Sequence, residues 1–144
     1  MGGFGAFVAA CVSALGTTTP ATAAGGDAQV FVKSLPSGGH SKTCDKPATS
    51  RVNSDRAEAV RFTFVNQKLK GGSWKTMRGY TQTYTGKPDR WISFKHVVFG
   101  GCGFGKGKYR LVVKAQAYFM TYANGAAEKH VVGRDSISRA YTVK

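Results

Sequence analysis

The sequence predicts an all-β chain: a single antiparallel sandwich of about seven strands, preceded by an N-terminal signal segment. Three observations lead there. From Ala24 onward the apolar residues recur with period two rather than 3.6. Clusters of Gly, Pro and Asn separate those runs. Helical periodicity is nearly absent, with Asp55–Ala59 (DRAEA) the one short hint of a helical turn. A length of 144 residues supports one domain, and 9 Phe, 6 Tyr and 2 Trp supply a core that a disordered chain would lack.

The chain divides into residues 1–23, a signal peptide, and residues 24–144, one sandwich domain. Phe4–Leu15 is an apolar run, Thr17–Pro20 breaks it, and Ala21-Thr22-Ala23 forms the small-residue cleavage pattern of an exported protein. No Lys or Arg precedes Phe4, where a signal peptide carries its positive region, so the translation start is expected upstream. Val8-Ala9-Ala10-Cys11 resembles a bacterial lipobox, and the alternative is a chain lipid-anchored at Cys11. Cleavage after Ala23 is preferred because it uses the whole apolar run. Either route predicts export, and the preferred one predicts a secreted, extracellular protein. No apolar run is long enough for a membrane span.

Export leaves Cys44 and Cys102 as an even pair in an oxidising compartment. A disulfide between them would stabilise the fold by about 4 kcal/mol through loop-closure entropy. Two free thiols or half a metal site are the alternatives. Neither Cys has a Cys or His at zinc-ligand spacing, so no metal and no cofactor is expected.

The strands follow in order. Gln29–Leu35 is the first. Val60–Val65 alternates, with Val60, Phe62 and Phe64 on one face. Trp74–Tyr84 comes next, and Trp91–Phe99 reads as a strand buried on both faces. Lys108–Tyr122 is the longest. Its Tyr109, Leu111, Val113, Ala115, Ala117 and Phe119 point one way, and Lys108, Arg110, Lys114 and Tyr118 the other. Glu128–Val132 and Ser138–Val143 complete the set. Turns are expected at Pro36–Gly39, Lys70–Ser73, Gly86–Asp89 and Asn124–Gly125.

Gly107-Lys-Tyr109-Arg-Leu111-Val-Val113 resembles the G-x-Y-x-φ-x-V stretch of immunoglobulin-like sandwiches. The resemblance implies that Tyr109 starts a late strand and pins a corner through its hydroxyl. Leu111 stands where antibody domains place a Cys, so the resemblance excludes an antibody-type domain. The Ala/Gly/Thr-rich leader and small size resemble exported proteins of actinobacterial type.

Catalytic patterns are thin. Gly100–Lys106 fits the G-x-x-x-x-G-K template, but Gly107 replaces the Ser or Thr that would hold Mg²⁺ and a strand follows instead of a helix. The expected reading is a glycine-rich hairpin loop anchored by Cys102 that displays Lys106 and Lys108. Glu128 and His130 share a strand face, a spacing suited to acid–base work in a small secreted ribonuclease or other toxin, with Arg134 or Arg139 to hold a phosphate. A surface pair on an edge strand is the simpler reading. No other catalytic signature occurs, and no catalytic residue is assigned.

Charge is the most informative feature. The net charge is +14, and residues 59–127 hold 12 of the 21 Lys and Arg but, among carboxylates, Asp89 alone. The expected partner-binding residues are Arg61, Lys75, Arg78, Arg90, Lys95, Lys106, Lys108, Arg110, Lys114 and Tyr118. Cations interleaved with aromatics on a sheet face suit anion contact plus stacking. The sequence therefore predicts a secreted, non-enzymatic binding or adaptor protein whose basic strand face engages an acidic partner protein or an anionic cell-surface polymer. Export disfavours nucleic acid as the partner. Ala28–Leu35 offers a second mode: it closes its own sheet, or it pairs as a donor strand with a partner's edge.

Overall fold

The computed structural model describes residues 27–34, 45–98 and 103–144. The signal segment with Cys11, the turn at Pro36–Gly39, Cys44, Cys102 and the first glycines of Gly100–Lys106 lie outside them.

Seven strands build the fold: β1 Gln29–Ser34, β2 Asp45–Asn53, β3 Ala59–Lys70, β4 Ser73–Gly86, β5 Ile92–Val98, β6 Gly107–Ala123 and β7 Ala126–Val143. They form two antiparallel sheets, β1-β2-β5 and β4-β3-β6-β7. The first, second and fifth strands form one sheet and the fourth, third, sixth and seventh the other, a two-layer antiparallel β-sandwich.

Four expectations shift. Glu128–Val132 and Ser138–Val143 are one strand, β7, whose register slips opposite Ala117 and Tyr118. The slip is a bulge, and it breaks the alternation that period-two reading depends on. β2 has no counterpart in the sequence reading. Its buried residues are Ala48, Ser50 and Val52, too small and too polar to register as a strand face. Pro47 lies at the break in register between Lys46 and Ala48, where its missing N–H costs no ladder bond. Asp55–Glu58 is a bend and not a helical turn. β5 is buried on one face only, through Phe94 and Val97, while Trp91, Ser93 and Lys95 are exposed.

The core matches the alternation of β3 and β6. Val60, Phe62 and Phe64 of β3, with Tyr109, Leu111, Val113, Ala115 and Ala117 of β6, are all buried. Phe94 joins the sheets, packing edge-on against Phe62 at 5.3 Å and Phe64 at 4.9 Å between ring centroids. Asn66 is the largest of the buried polar side chains among the described residues. It donates to the carbonyl of Val98 across the sandwich and accepts from the Tyr141 hydroxyl.

Side chains close both open sides of the sandwich. On one side Gln82 of β4 offers its amide to the edge of β5, donating to the His96 carbonyl at 2.8 Å and accepting from the Val98 N–H at 3.0 Å. On the other side the start of β1 crosses β7. Asp27 N–H donates to the Val132 carbonyl, and Val30 N–H donates to Asp135 at 2.7 Å. Gly133 makes the crossing possible, because a Cβ there would stand 2.7 Å from the Ala28 backbone nitrogen. β1 thus completes this chain's own sheet, the first of the two readings for Ala28–Leu35.

The Tyr109 hydroxyl donates to the Gly105 carbonyl at 2.5 Å, the corner contact implied by the immunoglobulin-like resemblance. Its ring stacks between Phe104 and Tyr141. The segment before it links β5 and β6, which lie in different sheets, so it is a crossover and not the expected hairpin loop. At the other end, β6 and β7 run past the last β3 pair at Ala59 and Tyr118 and form a two-stranded arm turning at Asn124-Gly125.

Candidate anion-binding face

β3, β6 and β7 bring their outward side chains into rows. Arg61, Gln116 and Arg134 are register partners across the three strands, and Thr63, Lys114 and Ser136 form the next row. With strands ~4.8 Å apart, the Arg61 and Arg134 backbones stand roughly 10 Å from each other. Between them lies a depression of about 430 Å³ lined by Arg61, Thr63, Lys114, Gln116, Arg134, Asp135 and Ser136. Lys129 closes one end, donating to the Gln116 side chain and lying 4.4 Å from the Tyr118 ring centroid.

These cations have few counter-charges. Partial burial, together with repulsion from Arg61 and Arg134, holds the Lys129 ammonium below the ordinary lysine range. Asp135 lines the depression, but its oxygens accept from Val30 N–H and Ser136 N–H. Among the described residues, Arg56 is the one Lys or Arg within ion-pair distance of a carboxylate, at 3.1 Å from Asp27.

The same face continues toward the opposite end of β6. Arg110 donates to Gln67 at 2.6 Å and lies 4.7 Å from the Trp74 ring centroid, and Gln67 donates in turn to Thr76 at 3.2 Å. Arg110 is therefore held in place before any ligand arrives. Lys108 shares the alternation of Arg110 and faces the same way, opposite Thr142. Neutral hydroxyls fill the rest: Thr81, Thr83 and Thr85 of β4 lie beside Val65, Thr63 and Arg61.

Of the ten residues expected to bind a partner, five share this face: Arg61, Lys108, Arg110, Lys114 and Tyr118. The other five do not join it. Lys75 pairs with Lys68, which turns to the core side over Tyr109, so both stand on the sheet's inner surface beyond the smaller sheet. Arg78 lies where β4 leaves register with β3, near Lys68, Lys70 and Lys75. Arg90 precedes β5 in a turn, Lys95 is on β5, and Lys106 is exposed in the β5–β6 crossover. Sequence reading did not assign Lys129, Arg134 or Trp74 to this face, and named Arg134 only as a phosphate holder beside His130. Arg134 and Lys129 fall on either side of the β7 bulge, so simple alternation puts them on opposite faces. Trp74 was legible only through its pairing partner.

Glu128 and His130 are 3.6 Å apart on the exposed arm. The His130 ring stacks on Phe119 at 4.9 Å, and its Nε2 is 2.7 Å from the Thr121 hydroxyl. Arg134 points to the other side of the ribbon with Lys129, and Arg139 lies opposite Leu111, nine positions along the strand, roughly 30 Å from His130. Neither arginine joins the pair. Among the described residues no group of three His, Cys, Asp or Glu side chains could hold a metal ion. Compared with known protein families, with curated proteins and with solved structures, the chain matches none.

Proposed function

We propose that this is a non-enzymatic binding protein whose four-stranded outer face holds an anionic, hydroxyl-bearing polymer at a cell surface, as befits the secreted chain that the leader predicts. The carrying observation is the convergence of Arg61, Lys114 and Arg134 on one shallow depression, with Lys129 beside it on Gln116 and the lining carboxylate, Asp135, bonded to backbone N–H groups. Partial burial and, after it, repulsion from Arg61 and Arg134 disfavour the Lys129 ammonium, and an anion bound between these cations relieves the repulsion.

The surroundings favour a polymer over an acidic protein. Protein interfaces centre on buried aromatic or aliphatic anchors and shed charge at their cores. Here the two aromatic rings, Trp74 and Tyr118, are already covered by Arg110 and Lys129. Threonine and serine hydroxyls surround the cations and match the hydroxyls of a glycan or polyol chain.

Retention on immobilised dextran sulfate, release by salt, and no retention on uncharged dextran are the expected results. Tighter retention on immobilised polyglutamate than on dextran sulfate would transfer the assignment to an acidic protein. Retention on none of the three would overturn it.

A further inference from the structure

The outer face of the three-stranded sheet carries a second, chemically different surface. Phe31 and Arg51 are register partners on β1 and β2. The Arg51 guanidinium lies 5.2 Å from the Phe31 ring centroid and 5.3 Å from that of Trp91, and the Lys33 ammonium lies 5.9 Å from the same indole. Phe31 and Trp91 remain 38% and 45% exposed, two of the four large apolar side chains that the described surface leaves open. Arg51 has its Nε buried with no hydrogen-bond partner. Arg90 and Lys95 are exposed on either side of Trp91 in the chain. The neighbouring outward side chains Gln29, Thr49, Asn53 and Ser93 are uncharged.

We propose that this face docks on a bilayer rich in anionic lipid, Trp91 and Phe31 entering the headgroup region while Lys33, Arg51 and Lys95 meet the phosphates. Indole and phenyl rings beside cations are the side chains that settle at a membrane–water boundary. Two half-exposed rings offer on the order of 150 Å² of apolar contact. That is far short of the roughly 800 Å² each partner contributes to a stable protein interface. It suffices where several cations add their attraction to a negative lipid surface, each worth about fivefold in partitioning. Among the described residues no helix is long and apolar enough to cross a membrane.

The proposal does not depend on polymer binding, because the two faces are on opposite sides of the sandwich and each can be altered alone. The chain has two Trp, so Trp74→Phe leaves Trp91 as its single indole reporter. With vesicles of equimolar phosphatidylglycerol and phosphatidylcholine, Trp91 emission should shift to the blue and the protein should sediment. Phosphatidylcholine vesicles alone should give neither effect. Lys33→Ala with Arg51→Ala should weaken partitioning about twentyfold. Lys33→Ala with Lys95→Ala, which leaves the stacked arginine in place, should weaken it comparably. Arg61→Ala with Arg134→Ala should leave it unchanged. No blue shift on the anionic vesicles, an equal shift on both kinds, or sedimentation lost in the Arg61/Arg134 variant but kept in both Lys33 variants would overturn the proposal.

Discussion

Asn66 on β3 donates its side-chain amide to the carbonyl of Val98 on β5 at 2.8 Å, joining the two sheets through the centre of the core. The same side chain accepts from the Tyr141 hydroxyl of β7 at 2.9 Å. One buried polar residue therefore ties three strands together. Asn66→Ala removes both bonds and leaves a buried carbonyl without this donor, which should cost about 2–4 kcal/mol of stability. Urea unfolding should report it as a lower midpoint with an unchanged slope.

Gln82 acts at the rim as Asn66 does at the centre. Its amide supplies β5 with the donor and acceptor that a neighbouring strand would have provided. Gln82→Ala should cost about 1–2 kcal/mol and uncover the edge at His96–Val98. Thermal melts should shift down, and light scattering on heating should begin earlier than in the unaltered protein.

The Tyr109 corner was legible in the sequence, since the G-x-Y-x-φ-x-V stretch implied both the strand and the hydroxyl contact that forms with Gly105. Tyr109→Phe keeps the stacking on Phe104 and Tyr141 and removes only that bond, so a loss of about 1 kcal/mol is expected in chemical unfolding. The core faces of β3 and β6 were legible for a similar reason, because large residues alternate there with charged or hydroxylated ones over many positions. β2 was not legible: its buried residues Ala48, Ser50 and Val52 are small or polar, so hydrophobicity does not mark them. The candidate site was half legible. Cations on β6 and Arg61 followed from alternation, but their neighbours Arg134 and Lys129 depend on a bulge and on strand order, neither of which local pattern encodes.

Lys129 links ligand binding to protons. Burial and the nearby Arg61 and Arg134 lower its pKa below the usual 10.5, so in the alkaline range below that value part of the free protein carries it neutral. A bound anion favours the ammonium and raises the pKa back. Complex formation with dextran sulfate should therefore take up protons in that window. Calorimetric titration in buffers of different ionisation enthalpy should detect the uptake, and Lys129→Gln should abolish it. The same shift predicts stability: the unfolded chain binds the proton more tightly, so this residue's contribution to stability rises with pH through the window.

The most direct test compares two triple variants of equal charge. Arg61→Ala, Lys114→Ala and Arg134→Ala empty the depression, whereas Lys33→Ala, Lys95→Ala and Lys106→Ala remove three cations elsewhere. Affinity for dextran sulfate should be measured for both across a range of salt concentrations. The first variant should bind about 10- to 100-fold more weakly than the unaltered protein, with a shallower dependence on salt, and the second should stay close to it. Equal losses in the two variants would contradict the account, because polymer binding would then follow net charge and not the face built by β3, β6 and β7.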